Sequence, residues 1–198
     1  MDYKRNMFPF VLLGLATALI GFGVYNLNRM PPSAYPDIHG EFSLHSADGL
    51  VTSRDMLGKV GLIYFGYTHC PDICPDTLLR IGSALKLLDA DEIAKVAPIF
   101  ITTDPDRDGP ELMAKYSRHF DSHILGLSGS PKEIEAAAKS FLSGYKKEPP
   151  DKKGNYTVSH ASFIIIVRPD GKLDKLMSHT SKPQDIADTI RHLLRWAG

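Results

Sequence analysis

Cysteine is scarce: the 198-residue chain has two, enough for one disulfide at most. Net charge is missing as well. Lysine plus arginine number 23 and aspartate plus glutamate number 23, so no overall field draws the chain toward nucleic acid or an acidic surface. No stretch interleaves basic with aromatic residues, which removes nucleic acid from the working list of partners. Repeats and low-complexity tracts are absent too, so solenoids and disordered arrays drop out. What remains has ordinary proportions: 43% hydrophobic and 23% charged residues fit one compact globular domain.

The departure from globular composition lies near the start. Phe8 to Tyr25 (FPFVLLGLATALIGFGVY) carries no charge and is just long enough to cross a hydrocarbon core as a helix. A buried core helix would need polar residues along one face, and the run has none. A cleaved signal peptide would have a shorter apolar run and an A-x-A site after it, whereas NLNRMPPSAYP follows here. The segment therefore predicts an uncleaved, single-pass transmembrane anchor. Lys4 and Arg5 precede it and only Arg29 follows closely, which puts residues 1–7 in the cytoplasm and the remainder outside. That orientation predicts an inner-membrane protein whose globular part faces the periplasm. Residues 26–39, including the proline-rich MPPSAYP, predict a linker, and residues 40–198 the folded domain.

Within the domain, Glu41 to Ser46 and Leu50 to Thr52 flank Ala-Asp-Gly, a hairpin signal, and Ser53 opens a helical turn closed by Gly58. Val60 to Tyr67 and Val96 to Thr103 are continuous apolar runs of the kind found in strands buried on both faces. Helices are predicted for Asp76 to Leu88, Pro110 to Phe120 and Pro131 to Leu142, the last through a Ser130/Glu133 capping box. Ile124 to Leu127 is a short strand. Pro149 to Asn155 is a polar loop, followed by strands at Tyr156 to Ser159, Ser162 to Val167 and Lys172 to Met177, then a helix from Lys182 to Trp196. Early βα units with a late hairpin and closing helix predict an α/β fold: a mixed sheet with flanking helices on both faces, of the thioredoxin-like kind.

Cys70 and Cys74 fall between a buried strand and a helix, in Thr68-His69-Cys70-Pro71-Asp72-Ile73-Cys74-Pro75. Free N–H groups and the positive dipole end at a helix start favour the thiolate, as nucleophile or metal ligand. Pro75 is best tolerated at a first helical position, so the helix is expected to begin there and leave both cysteines in a tight turn. Three residues separate them where the dithiol oxidoreductase motif has two. Over so short a span the sulfurs can join as a disulfide or hold one metal ion. A purely structural disulfide is disfavoured, because closing a small loop removes little entropy from the unfolded chain. Two thiolates suit copper(I), which takes at least one more donor. Of the eight histidines, His160 stands between two predicted strands and can approach the first βα turn. His69 is its rival, although in extended chain it points away from Cys70. His39, His45, His119, His123, His179 and His192 have no local context that recommends them. A peroxidase built on Cys70 and Thr68 lacks a distant resolving cysteine.

Three segments in order resemble the Sco/SenC family of copper chaperones: Tyr64 through Pro75, Thr103 through Asp108, and Tyr156 through His160 followed by Pro169-Asp170-Gly171. The resemblance runs from about Pro36 to the end. It implies a thioredoxin-like fold and binding of Cu(I) or Cu(II) by Cys70, Cys74 and His160. It also implies delivery of copper to the binuclear site in the copper-receiving subunit of cytochrome c oxidase. Another copper donor or a thioredoxin-like reductant would be a further partner. Read as an enzyme, the chain would be a thiol–disulfide oxidoreductase using the Cys70/Cys74 disulfide. The family's acidic residue in the second motif maps to Asp104, for partner recognition or tuning of the site. The competing view is a turn former before Pro105, and Arg107 reads equally as an ordinary salt-bridging residue.

Overall fold

The computed structural model describes residues 33–35 and 37–195. The anchor expected at Phe8 to Tyr25 and most of the linker lie outside the described residues. Among those described, no helix is long and apolar enough to cross a membrane.

A hairpin opens the domain, β1 (Ser43–Ser46) with β2 (Gly49–Thr52), and a 3-10 turn (Ser53–Met56) leads into β3 (Val60–Gly66). Helix α1 (Ile73–Leu85) and a short, box-capped α2 (Ala90–Ile93) return the chain to β4 (Val96–Thr102). Then follow α3 (Pro110–Phe120), β5 (Leu125–Leu127), α4 (Pro131–Ser140), β6 (Tyr145–Lys147), β7 (Val158–His160), β8 (Phe163–Val167), β9 (Leu173–Ser178) and α5 (Pro183–Leu194). Five strands form the central sheet in the order β5-β4-β3-β8-β9. β3, β4 and β5 run parallel, while β8 and β9 are antiparallel to their neighbours, so the sheet is mixed as the element order predicts.

Side-chain alternation along the strands sorts the core into two halves. Val60, Leu62, Tyr64, Phe100, Ile164 and Ile166 join Leu78, Ile81, Leu85, Ile186 and Ile190 on the α1/α5 face. Ile63, Phe65, Ile99, Ile101, Ile165 and Val167 join Leu44, Ile134, Ala137 and Phe141 on the other. β3 is buried at every residue, which accounts for its unbroken apolar run. Its carboxyl end is thereby fixed, and the cysteine segment leaves from there.

Local differences from expectation have identifiable causes. Helix α4 stops at Ser140 because Leu142 takes a left-handed conformation (φ 58°), turning the chain into β6. The polar sequence Tyr145-Lys146-Lys147 gives no strand signal of its own. It pairs with β7 in a separate two-stranded ribbon, Tyr145 opposite His160. Helix α1 begins at Ile73 rather than Pro75, with Asp72 as N-cap. A proline at the third helical position loses no intrahelical bond, since the N–H groups of the first turn have no partner within the helix. Cys74 therefore belongs to the helix, and only Cys70 sits in the turn before it.

Candidate metal centre

The turn between β3 and α1 hangs on a carboxylate from the next βα connection. Asp108 is fully buried and accepts three hydrogen bonds: from the Thr68 backbone N–H (2.9 Å), the Thr68 hydroxyl (2.5 Å) and the Thr102 hydroxyl (2.8 Å). The segment approaching Cys70 is thus tied to the end of β4. At the start of α1 the Asp72 side chain makes no capping bond. Instead the Cys74 backbone N–H points to the Cys70 sulfur at 3.4 Å. Cys70 Sγ so takes the place of a capping oxygen, where the free N–H groups and dipole of the helix favour negative charge.

His160 arrives from the ribbon, at the end of β7. Its Nδ1 lies 3.2 Å from the Ala161 carbonyl and donates to it, which leaves Nε2 as the bare nitrogen. That atom lies 3.4 Å from Cys74 Sγ. The rings of Tyr64 and Tyr67 stand edge-on to the imidazole, each with centroids 6.0 Å from it. The Tyr64 hydroxyl reaches Cys74 Sγ at 3.7 Å. The donor atoms of Cys70, Cys74 and His160 all lie within 4.8 Å of one another. Cys74 is buried, whereas Cys70 and His160 are partly exposed in a pocket of about 370 Å³ walled by Tyr67, Pro71, Ile73 and Val158.

Both cysteines are free thiols, and their environments pull them apart. The Cys74 thiol hydrogen bond holds Cys70 well below the ordinary thiol range, against the opposing effect of burial and with help from the Cys74 and Asp72 backbone. Cys74 is pushed up, first by its role as donor to Cys70 and then by burial. Burial raises Tyr64 also, so its phenol stays a donor. The arrangement is one thiolate, one buried thiol whose proton a soft cation can displace, and an imidazole nitrogen. This donor set fits a thiophilic ion such as copper(I).

The remaining expected residues fall elsewhere. His69 is turned away, its Nδ1 3.0 Å from the Thr68 hydroxyl and 3.8 Å from Asp108. Asp104 is buried behind the site. It accepts from the Tyr156 hydroxyl at 2.9 Å and pairs with Arg107. Nothing in the sequence alone marks Asp108, Tyr64 or Tyr67 as part of the site. Each lies in or beside one of the motifs, but only the tertiary contact gives it a task.

Gly66, the last residue of β3, is a glycine for want of space. A Cβ there would lie 2.7 Å from Cys74 Sγ and 3.0 Å from Phe100. Gly66→Ala is expected to push the thiol from its place and to destabilise the fold by about 1–3 kcal/mol, the usual cost of overpacking. Denaturant unfolding together with thiol titration checks this; unchanged stability and reactivity would contradict the packing described.

A dithiol and an imidazole gathered at the carboxyl end of a buried parallel strand define a soft-metal or thiol-redox site. The family model described as SCO1/SenC matches residues 31–195. The chain is 40% identical over 145 residues to the zebrafish (Danio rerio) mitochondrial protein SCO2 homolog, covering 73% of this chain and 52% of that one. It is similar to the solved structure of Bradyrhizobium japonicum ScoI with copper bound, at 39% identity and a TM-score of 0.73, over 79% of this chain and 99% of the other. A second solved relative is BsSco, described as a member of the Sco family of cytochrome c oxidase assembly proteins and as having a disulfide switch. There the identity is 28% and the TM-score 0.66, over 84% of this chain and 98% of the other. The chain belongs to the SCO1/SenC family, and its fold is the thioredoxin-like mixed sheet of Sco structures. It spans 48% to 60% of the length of eight curated relatives it matches.

Proposed function

We propose that the chain is a copper metallochaperone. It holds Cu(I) or Cu(II) through Cys70, Cys74 and His160 and passes it to the binuclear copper site of cytochrome c oxidase during assembly. The observation that carries this reading is the convergence of two sulfurs and a bare imidazole nitrogen within 4.8 Å, from segments far apart in sequence. Copper is the cargo. On binding, Cys74 gives up the proton it shares with Cys70, and His160 closes the site from the ribbon. Partial exposure of Cys70 leaves one thiolate where an acceptor's thiols can begin ligand exchange. The copper-bound ScoI relative and the assembly role printed for BsSco support cargo and destination.

The same reading anchors the chain through Phe8 to Tyr25 in the inner membrane, with residues 1–7 cytoplasmic, 26–39 as linker and residues 40–198 in the periplasm. Its support is the charge-free run and the Lys4/Arg5 bias. A second reading has one observation in its favour. Cys70 is a stabilised, accessible thiolate with Cys74 buried beside it, the pairing a thiol–disulfide oxidoreductase uses to attack and then resolve through a Cys70–Cys74 disulfide.

His160→Ala separates the two. In the detergent-solubilised chain it is expected to weaken copper retention by more than the roughly 10–100-fold typical of a merely supporting residue, while leaving disulfide reduction intact. Metal analysis after dialysis against a chelator, paired with a reductase assay, reads both. Copper retention indifferent to the substitution would overturn the three-ligand site.

A further inference from the structure

The imidazole does not ride on the central sheet. It sits on the β6/β7 ribbon, whose internal bonding is self-contained. Glu148 N–H donates to the Thr157 carbonyl at 2.9 Å, Ser159 Oγ to Glu148 at 2.9 Å, and Asp151 organises the tip by accepting from the Lys153 and Asn155 backbone at 2.7 and 2.9 Å. Val158 packs into the core beneath the ribbon. What pins its flank is a cluster on the loop after β4. The Tyr156 hydroxyl donates to buried Asp104 at 2.9 Å, and the Arg107 guanidinium, paired with the same carboxylate, lies 3.8 Å over the Tyr156 ring. Lys147 covers that ring at 4.0 Å and is bonded to Asp106 at 2.8 Å. Arg107 also lies 5.8 Å over Tyr67, the ring that stands edge-on to His160.

We propose that Asp104, Arg107 and Tyr156 form a latch that positions His160, pinning the ribbon so that the imidazole meets the dithiol, and that opening the latch withdraws the third donor. The three are positioning residues, since none touches the cargo. The latch gives the site two states: a closed one with three donors for holding copper, and an open one with two sulfurs, in which an incoming thiol takes the vacant place. The effect on copper rests on the metallochaperone reading, so the test needs one measurement that does not.

Arg107→Met removes the cation while keeping length, Tyr156→Phe deletes only the hydroxyl, and Arg107→Lys restores charge without the planar stack. In the metal-free 198-residue chain, the first two are expected to speed amide exchange across residues 145–160 and leave β3 and β4 unchanged. In copper(I) competition they are expected to weaken binding about 10-fold or more, in the range of supporting residues around a metal site, with Arg107→Lys recovering part of the loss. In a His160→Ala background the same substitutions should cost copper affinity nothing further. Unchanged ribbon exchange would overturn the latch. So would an equal loss of copper affinity with and without His160, or a loosened ribbon with full copper affinity. If the parent chain bound no copper, the metallochaperone reading would fall, and ribbon exchange alone would decide whether the latch exists. Should Arg107→Met fail to fold, Tyr156→Phe carries both measurements.

Discussion

Cys74→Ala is expected to abolish copper retention, and Cys70→Ala to do the same. Either change leaves one sulfur and the imidazole, and two donors hold copper(I) far more weakly than three. The loss should reach roughly three orders of magnitude, the equivalent of about 4 kcal/mol. Folding should survive. Cys74 is fully buried, but deleting one sulfur opens a cavity about the size of a methylene group and costs about 1 kcal/mol. The two variants should part company in thiol chemistry. With Cys74 gone, Cys70 loses the hydrogen bond that does most to stabilise its thiolate and becomes a less acidic thiol. With Cys70 gone, Cys74 remains buried beneath Tyr64 and resists alkylation until the chain unfolds. Titration against a chromogenic copper(I) chelator measures the first effect and alkylation kinetics the second. Copper binding that outlasts loss of either cysteine would contradict a shared site.

Asp108→Ala is expected to have the largest effect on stability among residues that never touch the cargo. The carboxylate is wholly buried and satisfies one backbone N–H and two hydroxyls. Its removal leaves all three donors without an acceptor, which should cost about 3–5 kcal/mol. The loss falls on the segment that sets Cys70, because Thr68 is held on both its N–H and its hydroxyl. Asp108→Asn keeps an acceptor oxygen but turns an amide N–H₂ toward one of the donors, so an intermediate loss is expected. Urea unfolding followed by circular dichroism gives the ranking: parent, then Asn, then Ala. A destabilisation by Ala below about 1 kcal/mol, the level of an ordinary point change, would show that the turn is held by something else.

Much of this architecture is written locally. The unbroken apolar runs at β3 and β4 are those of strands buried on both faces, and the Ser130/Glu133 box sets the start of α4. Pro169-Asp170-Gly171 turns β8 into β9 with Gly171 at φ 85°, a conformation that favours glycine. Other features are invisible without the third dimension. The helix starts at Ile73 rather than Pro75 because a proline is harmless anywhere in the first turn, and sequence does not tell those positions apart. β6 is polar and short, and it becomes a strand only because β7 is there to pair with it. The distance from Cys74 to His160, eighty-six positions along the chain, is a property of the ribbon's docking rather than of either motif. Asp104 and Arg107 illustrate the same limit. Their motif reads equally as a turn or a salt bridge, and the contacts of Tyr156, hydroxyl to Asp104 and ring to Arg107, come from a segment about fifty positions further on.

Copper binding here turns on three atoms, and X-ray absorption at the copper edge reads them directly. For the copper(I)-loaded chain, an inner shell of two sulfurs and one imidazole nitrogen is expected, with the nitrogen lost in His160→Ala. A shell with fewer than two sulfurs, or a spectrum unaltered by His160→Ala, would contradict it.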